Sequence, residues 1–189
     1  MKTQRYFLDR VSELSSLATR GDPWVFLCAA CFIEYLAKMA YNKSTTANDY
    51  KAFLRDYFFR ACPKYAAFTF ASGQTDLAEQ MYHVFRCGVV HSFSVFPDPQ
   101  ARSRGGRTRS IIFAHRNTAE GGKHLDNWVN NRRKPKLDAA LFVAEDFVED
   151  IGKVVNFLFA ASRKRTTSAR QLSQNIQGWN SLYPPIGSL

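Results

Sequence analysis

Large apolar side chains recur at steps of three and four residues through most of this 189-residue chain, and this period constrains the fold more than any other feature. Side chains at that spacing share one face of an α-helix, whereas a half-buried strand would alternate. Polar, Gly and Pro breaks divide the pattern into separate helices. The predicted helices cover residues 3–20, Pro23 to about Tyr41, 47–61, Thr75 or Asp76 to His91, and Asp138 to about Ser162, and residues 64–72 are ambiguous and could add a short helix.

One internal stretch, residues 100–136, breaks the helical period. Gly105-Gly106 and Gly121-Gly122 flank residues 108–115, whose Ile111-Ile112-Phe113 centre predicts a short strand or one arm of a hairpin. We therefore expect an all-α fold, a bundle of four to six helices with a small extended or β-hairpin insertion.

The formal net charge of +10, from 26 Lys and Arg against 16 Asp and Glu, is unevenly distributed. Residues 100–136 hold ten basic and two acidic side chains, and residues 163–189 hold four basic and no acidic ones, so the predicted helices are together almost neutral. We expect one helical domain over residues 1–162, including the basic insertion. Residues 163–189 would form a basic polar tail, loosely ordered or packed on a partner.

The insertion is a candidate binding segment for RNA or another polyanion. Its arginines outnumber its lysines by seven to three, and the planar guanidinium group suits phosphate oxygens. The alternative is a solvated loop, or a loop that pairs with the acidic face of the last predicted helix. Glu145, Asp146, Glu149 and Asp150 lie on or near the face opposite its apolar stripe, which we expect to be solvated. The candidate nucleic-acid-binding residues are Arg102, Arg104, Arg107, Arg109, Arg116, Arg132, Arg133 and Lys134.

Composition excludes several protein classes. A hydrophobic share of 46% supplies a core and excludes global disorder. Four cysteines are too few for a disulfide scaffold in a chain of this length. The longest apolar run, Trp24–Ile33, is shorter than the ~20 residues that span a bilayer, and the first residues lack an apolar signal segment. We expect a cytoplasmic protein with no membrane partner.

Metal ligation is considered for the Cys28-x2-Cys31 pair and for His83 with Cys87, since zinc uses such residues. Cys28 and Cys31 lie in the middle of an apolar helical run with no Gly, Pro or Lys beside them, which favours small buried core residues. We expect no metal site and no cofactor.

The most informative motif is Arg86-Cys87-Gly88-Val89-Val90-His91. Five residues of a straight α-helix turn about 140°, so Arg86 and His91 would face different directions unless the helix is distorted, as Gly88 permits. The motif resembles the Arg-x4-6-His motif of the HEPN family, a largely α-helical family with many metal-independent ribonucleases. The resemblance covers roughly residues 1–162, with four residues between Arg86 and His91.

This resemblance implies a homodimer whose two motifs line one cleft, with His91 as the acid–base residue and Arg86 as the phosphate stabiliser. It implies an endoribonuclease in which the 2′-hydroxyl attacks the phosphate and leaves a cyclic phosphate. As a toxin or defence component, such a protein would also have a cognate inhibitor protein. In many members a polar residue follows the arginine, where this chain has Cys87.

Two other interpretations remain open. The first is a non-catalytic HEPN-like module that binds nucleic acid or a protein partner through its basic insertion. The second is a plain helical interaction domain, in which Arg86 offsets the dipole at a helix end and His91 is a hydrogen-bonded interior residue.

Overall fold

The computed structural model describes residues 2–43, 45–71, 73, 77–90, 107–130 and 136–182. Within them the protein is predominantly helical, as predicted. Two helices continue into π-helical segments. The elements are, in chain order, α1 (Lys2–Thr19), α2 (Trp24–Tyr41), α3 (Ala47–Phe53), a first π-helical segment (Leu54–Phe58), α4 (Phe59–Ala61), α5 (Lys64–Ala67), α6 (Leu77–Met81), a second π-helical segment (Tyr82–Val90), β1 (Arg107–Ala114), β2 (Asn127–Asn130), β3 (Lys136–Val143), α7 (Ala144–Ala161) and α8 (Thr167–Leu182).

The strands form one sheet in the order β1-β3-β2, which is more than the predicted hairpin. β1 confirms the strand predicted at residues 108–115, but it pairs with β3 in parallel, from Arg107 opposite Lys136 to Ala114 opposite Val143. β2 is antiparallel to β3 on its other side. The insertion thus adds a small mixed sheet to the helical bundle.

The prediction that the last long helix begins at Asp138 is wrong, because residues 138–143 belong to β3 and α7 begins at Ala144. The five apolar residues 139–143 are all essentially inaccessible to solvent. A central strand covered on both faces has no polar alternation, so its apolar run cannot be distinguished from a buried helix by period.

Aromatic side chains join the sheet to the bundle. Phe113 of β1 stacks on Phe26 of α2 with ring centroids 4.0 Å apart. On the other flank, Phe142 of β3 meets Phe147 of α7 at 5.1 Å and Phe85 at 5.5 Å. Phe85 belongs to the second π-helical segment, so this cluster fixes that segment against both the sheet and α7.

Only part of α2 is buried. By length and composition α2 is the one helix of the described residues that could cross a membrane, but half of it is buried inside this fold, as in the core helix of a soluble protein. Cys28 and Cys31 lie on its exposed face, together with Trp24. The expectation that both cysteines are core residues is therefore wrong, since the helix turns only its other face to the core.

The polar tail contributes a helix of its own. Residues 167–182 form α8, which buries Ala169, Leu172 and Ile176 against the bundle. Asn175 Nδ2 donates to the Ala40 carbonyl oxygen at 2.7 Å. The expectation of a loosely ordered tail is wrong for this stretch, because its sparse apolar residues share one face of a helix.

Candidate functional site

Arg86 lies on the second π-helical segment, where the helix is wider than an α-helix. A π-helix bonds residue i to residue i+5, so residues five apart come nearer to one face than in an α-helix, where they diverge by about 140°. Tyr82 and Cys87 show this, since a hydrogen bond with the Cys87 side chain is the largest effect that raises the pKa of Tyr82. The distortion expected at Gly88 thus already begins at Tyr82. His91 lies outside the described residues.

The Arg86 side chain is four-fifths buried between α2, the chain before α3 and its own helix. Its Nη2 donates to the Thr45 carbonyl oxygen at 3.4 Å. The guanidinium carbon lies 5.8 Å from the centroid of the Tyr82 ring, which is within the range of a cation–π contact. Its Nε is 3.6 Å from Glu34 Oε1, slightly too far for a hydrogen bond.

Glu34 is a buried carboxylate on α2, and it contacts a second cation besides Arg86. Lys38, one turn later, brings its Nζ to 3.0 Å from the same Oε1 atom. One carboxylate is therefore shared between two cations, which leaves an excess of one positive charge. Excess positive charge in a mostly buried environment attracts an anion more strongly than it would in water.

Three buried donors around Arg86 have no hydrogen-bond partner among the described residues. They are the Arg86 Nε, the Tyr50 hydroxyl and the Thr45 hydroxyl. Tyr50 is fully buried, with its ring 5.9 Å from that of Tyr82. Burial first and Glu34 second raise the pKa of Tyr50, so its hydroxyl keeps its proton and can donate.

We call Glu34, Thr45, Tyr50, Tyr82 and Arg86 the Arg86 cluster. Buried polar atoms in proteins are nearly always paired, with protein, water or ligand. The three donors would be satisfied by acceptor oxygens, as in water or an oxyanion such as phosphate. Three buried donors without partners among the described residues, beside an excess positive charge, make the Arg86 cluster a candidate for binding an oxyanion.

Among the described residues, the contacts of Arg109 and Arg116 are with groups outside the Arg86 cluster. Arg109 of β1 is partly buried, with its guanidinium carbon 5.9 Å from the Phe70 ring centroid. Arg107 begins the same strand. The remaining candidates, apart from Arg116, lie outside the described residues; they are Arg102, Arg104, Arg132, Arg133 and Lys134.

Arg116 follows β1 and is bound to the acidic side of α7. Its Nη2 lies 2.7 Å from Asp146 Oδ1 and 2.6 Å from Glu149 Oε1, and its backbone N–H donates to Glu145. The hydrogen bonds that Arg116 donates to Asp146 first and Glu149 second raise the pKa of its guanidinium group. These contacts favour the interpretation that the loop at Arg116 pairs with the acidic face of α7.

A second polar constellation surrounds Asp150 of α7, and sequence reasoning missed it by placing Asp150 on a solvated face. Asp150 is inaccessible to solvent. Its spacing from Phe147 and Val154, three before and four after, puts it on the apolar stripe, and this was the available signal. Its Oδ2 accepts from the Tyr65 hydroxyl at 3.0 Å and from Lys64 at 2.8 Å.

Lys153 and His124 complete this set, which we call the Asp150 network. Lys153 Nζ lies 2.7 Å from Asp150 Oδ1, and His124 Nε2 lies 3.4 Å from Oδ2 and 2.9 Å from the Tyr65 hydroxyl. Burial alone would raise the pKa of Asp150, but hydrogen bonds from His124, Lys153 and Lys64 outweigh it and hold that pKa well below its usual range.

The role of His124 follows from its other ring nitrogen. Its Nδ1 accepts the backbone N–H of Val143 at 3.0 Å, so the neutral ring carries its proton on Nε2. Both nitrogens are engaged and the side chain is only 6% exposed. The Asp150 network therefore anchors the loop after β1 to α5 and α7, and His124 has no free nitrogen for acid–base chemistry.

Residues able to hold a metal do not gather within the part of the chain that the structure describes, where no three His, Cys, Asp or Glu side chains form a group. His83 instead lies 3.3 Å from Glu79, one helical turn away. A comparison of this chain with protein-family models, curated proteins and solved structures finds no match.

Proposed function

We propose that this protein is a HEPN-like, metal-independent endoribonuclease in which Arg86 and His91 act on RNA. The observation that carries the proposal is the Arg86 cluster, where three buried donors without partners surround a guanidinium group and an excess positive charge. Such a set suits the oxygens of a phosphate group.

The proposed reaction requires no cofactor. The 2′-hydroxyl loses its proton to His91 and attacks the adjacent phosphorus, while the bond to the 5′-oxygen breaks and that oxygen takes up a proton. The products are a 2′,3′-cyclic phosphate and a 5′-hydroxyl. An imidazole group with a pKa near ~6.5 can exchange protons at neutral pH, and Arg86 stabilises the charge that builds on the phosphorane.

The proposal includes the assembly that the resemblance implies. Two copies would form a cytoplasmic homodimer with both motifs along one cleft, and a cognate inhibitor protein would be a further partner. The insertion arginines would hold the rest of the RNA, through contacts that weaken steeply with salt.

A cleavage assay on structured and unstructured RNA in excess chelator tests the proposal. We expect wild type to cleave and Arg86→Ala and His91→Ala to lose at least ~100-fold in rate, as loss of a charge-stabilising group commonly costs. Arg20→Ala, an exposed arginine at the end of α1, and His83→Ala are the matched controls and should cleave normally. Equal cleavage in all proteins, or none in wild type, would refute the proposal.

The contacts of Arg86 with Glu34 and the Thr45 carbonyl favour a second candidate, because they would also suit a purely structural arginine. In that case the chain is a non-catalytic HEPN-like module that binds nucleic acid or a protein through its insertion. RNA would bind without cleavage, with an affinity that falls with salt and drops when Arg107 and Arg109 become Ala.

A further inference from the structure

The exposed face of α2 carries a regular stripe that the proposed function leaves unused. Trp24, Cys28, Cys31 and Tyr35 follow one another at steps of four, three and four residues, which is the spacing of a helix–helix seam. Tyr35 is partly buried, with its ring 5.7 Å from that of Phe7 on α1, so the exposed part of the stripe runs from Trp24 to Cys31. Trp24 is 57% exposed and both thiols are free and exposed. Two small residues thus lie between two large aromatic ones, a pattern that lets a second helix cross closely at the cysteines.

The spacing of the two cysteines suits a shared metal better than a disulfide. Side chains three apart on an α-helix have Cβ atoms ~5–6 Å apart, whereas a disulfide needs roughly 3.5–4.5 Å. Thiolates at tetrahedral zinc each bind at about 2.3 Å, and flexible Cys side chains can reach one ion from neighbouring turns. Cys28 is also a neighbour of Cys31, since burial first, and then Cys28, raise the pKa of the Cys31 thiol.

Within the described part of the chain, Cys28 and Cys31 offer two of the four ligands that a structural zinc ion needs, and no further His, Cys, Asp or Glu joins the pair to make a group of three. A second molecule can supply the other two ligands. A second copy related by a two-fold axis presents the same patch, and two such pairs give four thiolates.

The surroundings of the stripe fit a second copy. An open groove of about 450 Å³ lies between α1 and α2 beside the cysteines, with Tyr6, Phe7 and Phe32 among its walls. Arg10 and Glu13 line the same groove and form an ion pair at 2.7 Å. A patch with one charge of each sign is complementary to itself under two-fold symmetry, and the groove can receive an aromatic side chain such as Trp24 from the other copy.

We propose that Cys28 and Cys31 are half of a tetrahedral zinc site, which a second copy of this chain completes with the same two cysteines. Each zinc ion replaces four thiol protons, which pass to solvent, and no oxidant or reductant takes part. The site does not depend on the proposed ribonuclease activity.

The test is a metal titration of the full-length, reduced, metal-free protein, followed by sedimentation equilibrium. Cobalt(II) should produce the intense thiolate-to-metal charge-transfer absorption of tetrahedral sulfur coordination, and zinc should displace it at one ion per two chains. The zinc-loaded protein should sediment at about twice the mass of the metal-free protein, and excess chelator should reverse this change.

Cysteine variants distinguish the role of Cys28 and Cys31 from that of the other thiols. Cys28→Ser/Cys31→Ser should lose the absorption and the metal-dependent dimer while keeping its circular dichroism spectrum. Cys87→Ser, which leaves the stripe intact, should behave as wild type. One metal ion per monomeric chain, no metal binding, or unchanged binding in the double variant would each overturn the proposal.

Discussion

The Nε atom of Arg86 lies 3.6 Å from the Oε1 atom of Glu34, close enough to orient the guanidinium group and too far to satisfy that donor. The Nζ atom of Lys38 lies 3.0 Å from the same carboxylate oxygen. Arg86 is therefore positioned but incompletely paired, which distinguishes it from an arginine whose donors are all used by the fold. An Nε donor without a partner among the described residues is what makes Arg86 available to a phosphate group.

Tyr50→Phe separates a ligand-binding hydroxyl from a structural one. The Tyr50 hydroxyl has no partner among the described residues, so its removal should leave the free energy of unfolding unchanged or raise it by up to ~1 kcal/mol. If the hydroxyl binds phosphate, RNA cleavage should fall by about tenfold, equivalent to roughly 1.4 kcal/mol.

Tyr41→Phe is the matched control. The Tyr41 hydroxyl is also buried with no hydrogen-bond partner among the described residues, but Tyr41 lies at the end of α2, outside the Arg86 cluster. Chemical denaturation and single-turnover cleavage would be measured on both variants. Identical cleavage by the two variants would contradict a role for Tyr50.

Asp150→Asn should strongly destabilise the fold. The change leaves Lys64 and Lys153 without their carboxylate and weakens the bonds to Tyr65 and His124. We expect a loss of about 2–4 kcal/mol, less than for a fully buried pair because both lysines are about half exposed. Asp146→Asn is the control, since its ion pair with Arg116 is near the surface and should cost under ~1 kcal/mol. Equal losses in urea unfolding would contradict the account.

The Asp150 network also gives stability a defined pH dependence. The folded-state pKa of Asp150 lies below its value in the unfolded chain, so the stabilisation is complete above the unfolded pKa of about 4 and is lost as the pH falls toward the folded value. The difference in unfolding free energy between wild type and Asp150→Asn should be constant above about pH 5 and should shrink below about pH 4. A difference that stays constant down to about pH 2 would exclude this origin.

Arg116→Ala should leave RNA affinity and its salt dependence unchanged, because α7 already occupies this side chain through Asp146 and Glu149. A phosphate contact would instead reduce the salt slope of binding by about one. Filter binding over a range of salt concentrations distinguishes these results. Arg109→Ala is the comparison, since the Arg109 guanidinium group contacts the aromatic ring of Phe70 rather than a carboxylate.

The helices of this fold could be predicted because their apolar side chains have a clear period. The strand β3 could not, since residues 139–143 are apolar at every position and a fully buried strand shows no alternation. The π-helical segment at Tyr82–Val90 also escaped prediction, because its apolar residues satisfy the α-helical period almost as well.

The residues of the candidate site could likewise be predicted only in part. Arg86 could be singled out from its motif, but its partners Glu34, Thr45 and Tyr50 come from other elements and no local pattern connects them. Asp150 was assigned to the wrong face because acidic neighbours suggested a solvated surface. The Lys64, Tyr65 and His124 side chains that surround its carboxylate are distant in sequence, so only the packed fold reveals them.

The measurement that tests the central claim most directly is the end-group chemistry of RNA incubated with wild type and His91→Ala in excess chelator. We predict 2′,3′-cyclic phosphate and 5′-hydroxyl ends from wild type, and a loss of these products in the variant at unchanged secondary structure. Intact RNA with wild type, or the same ends formed at the same rate by His91→Ala, would contradict it.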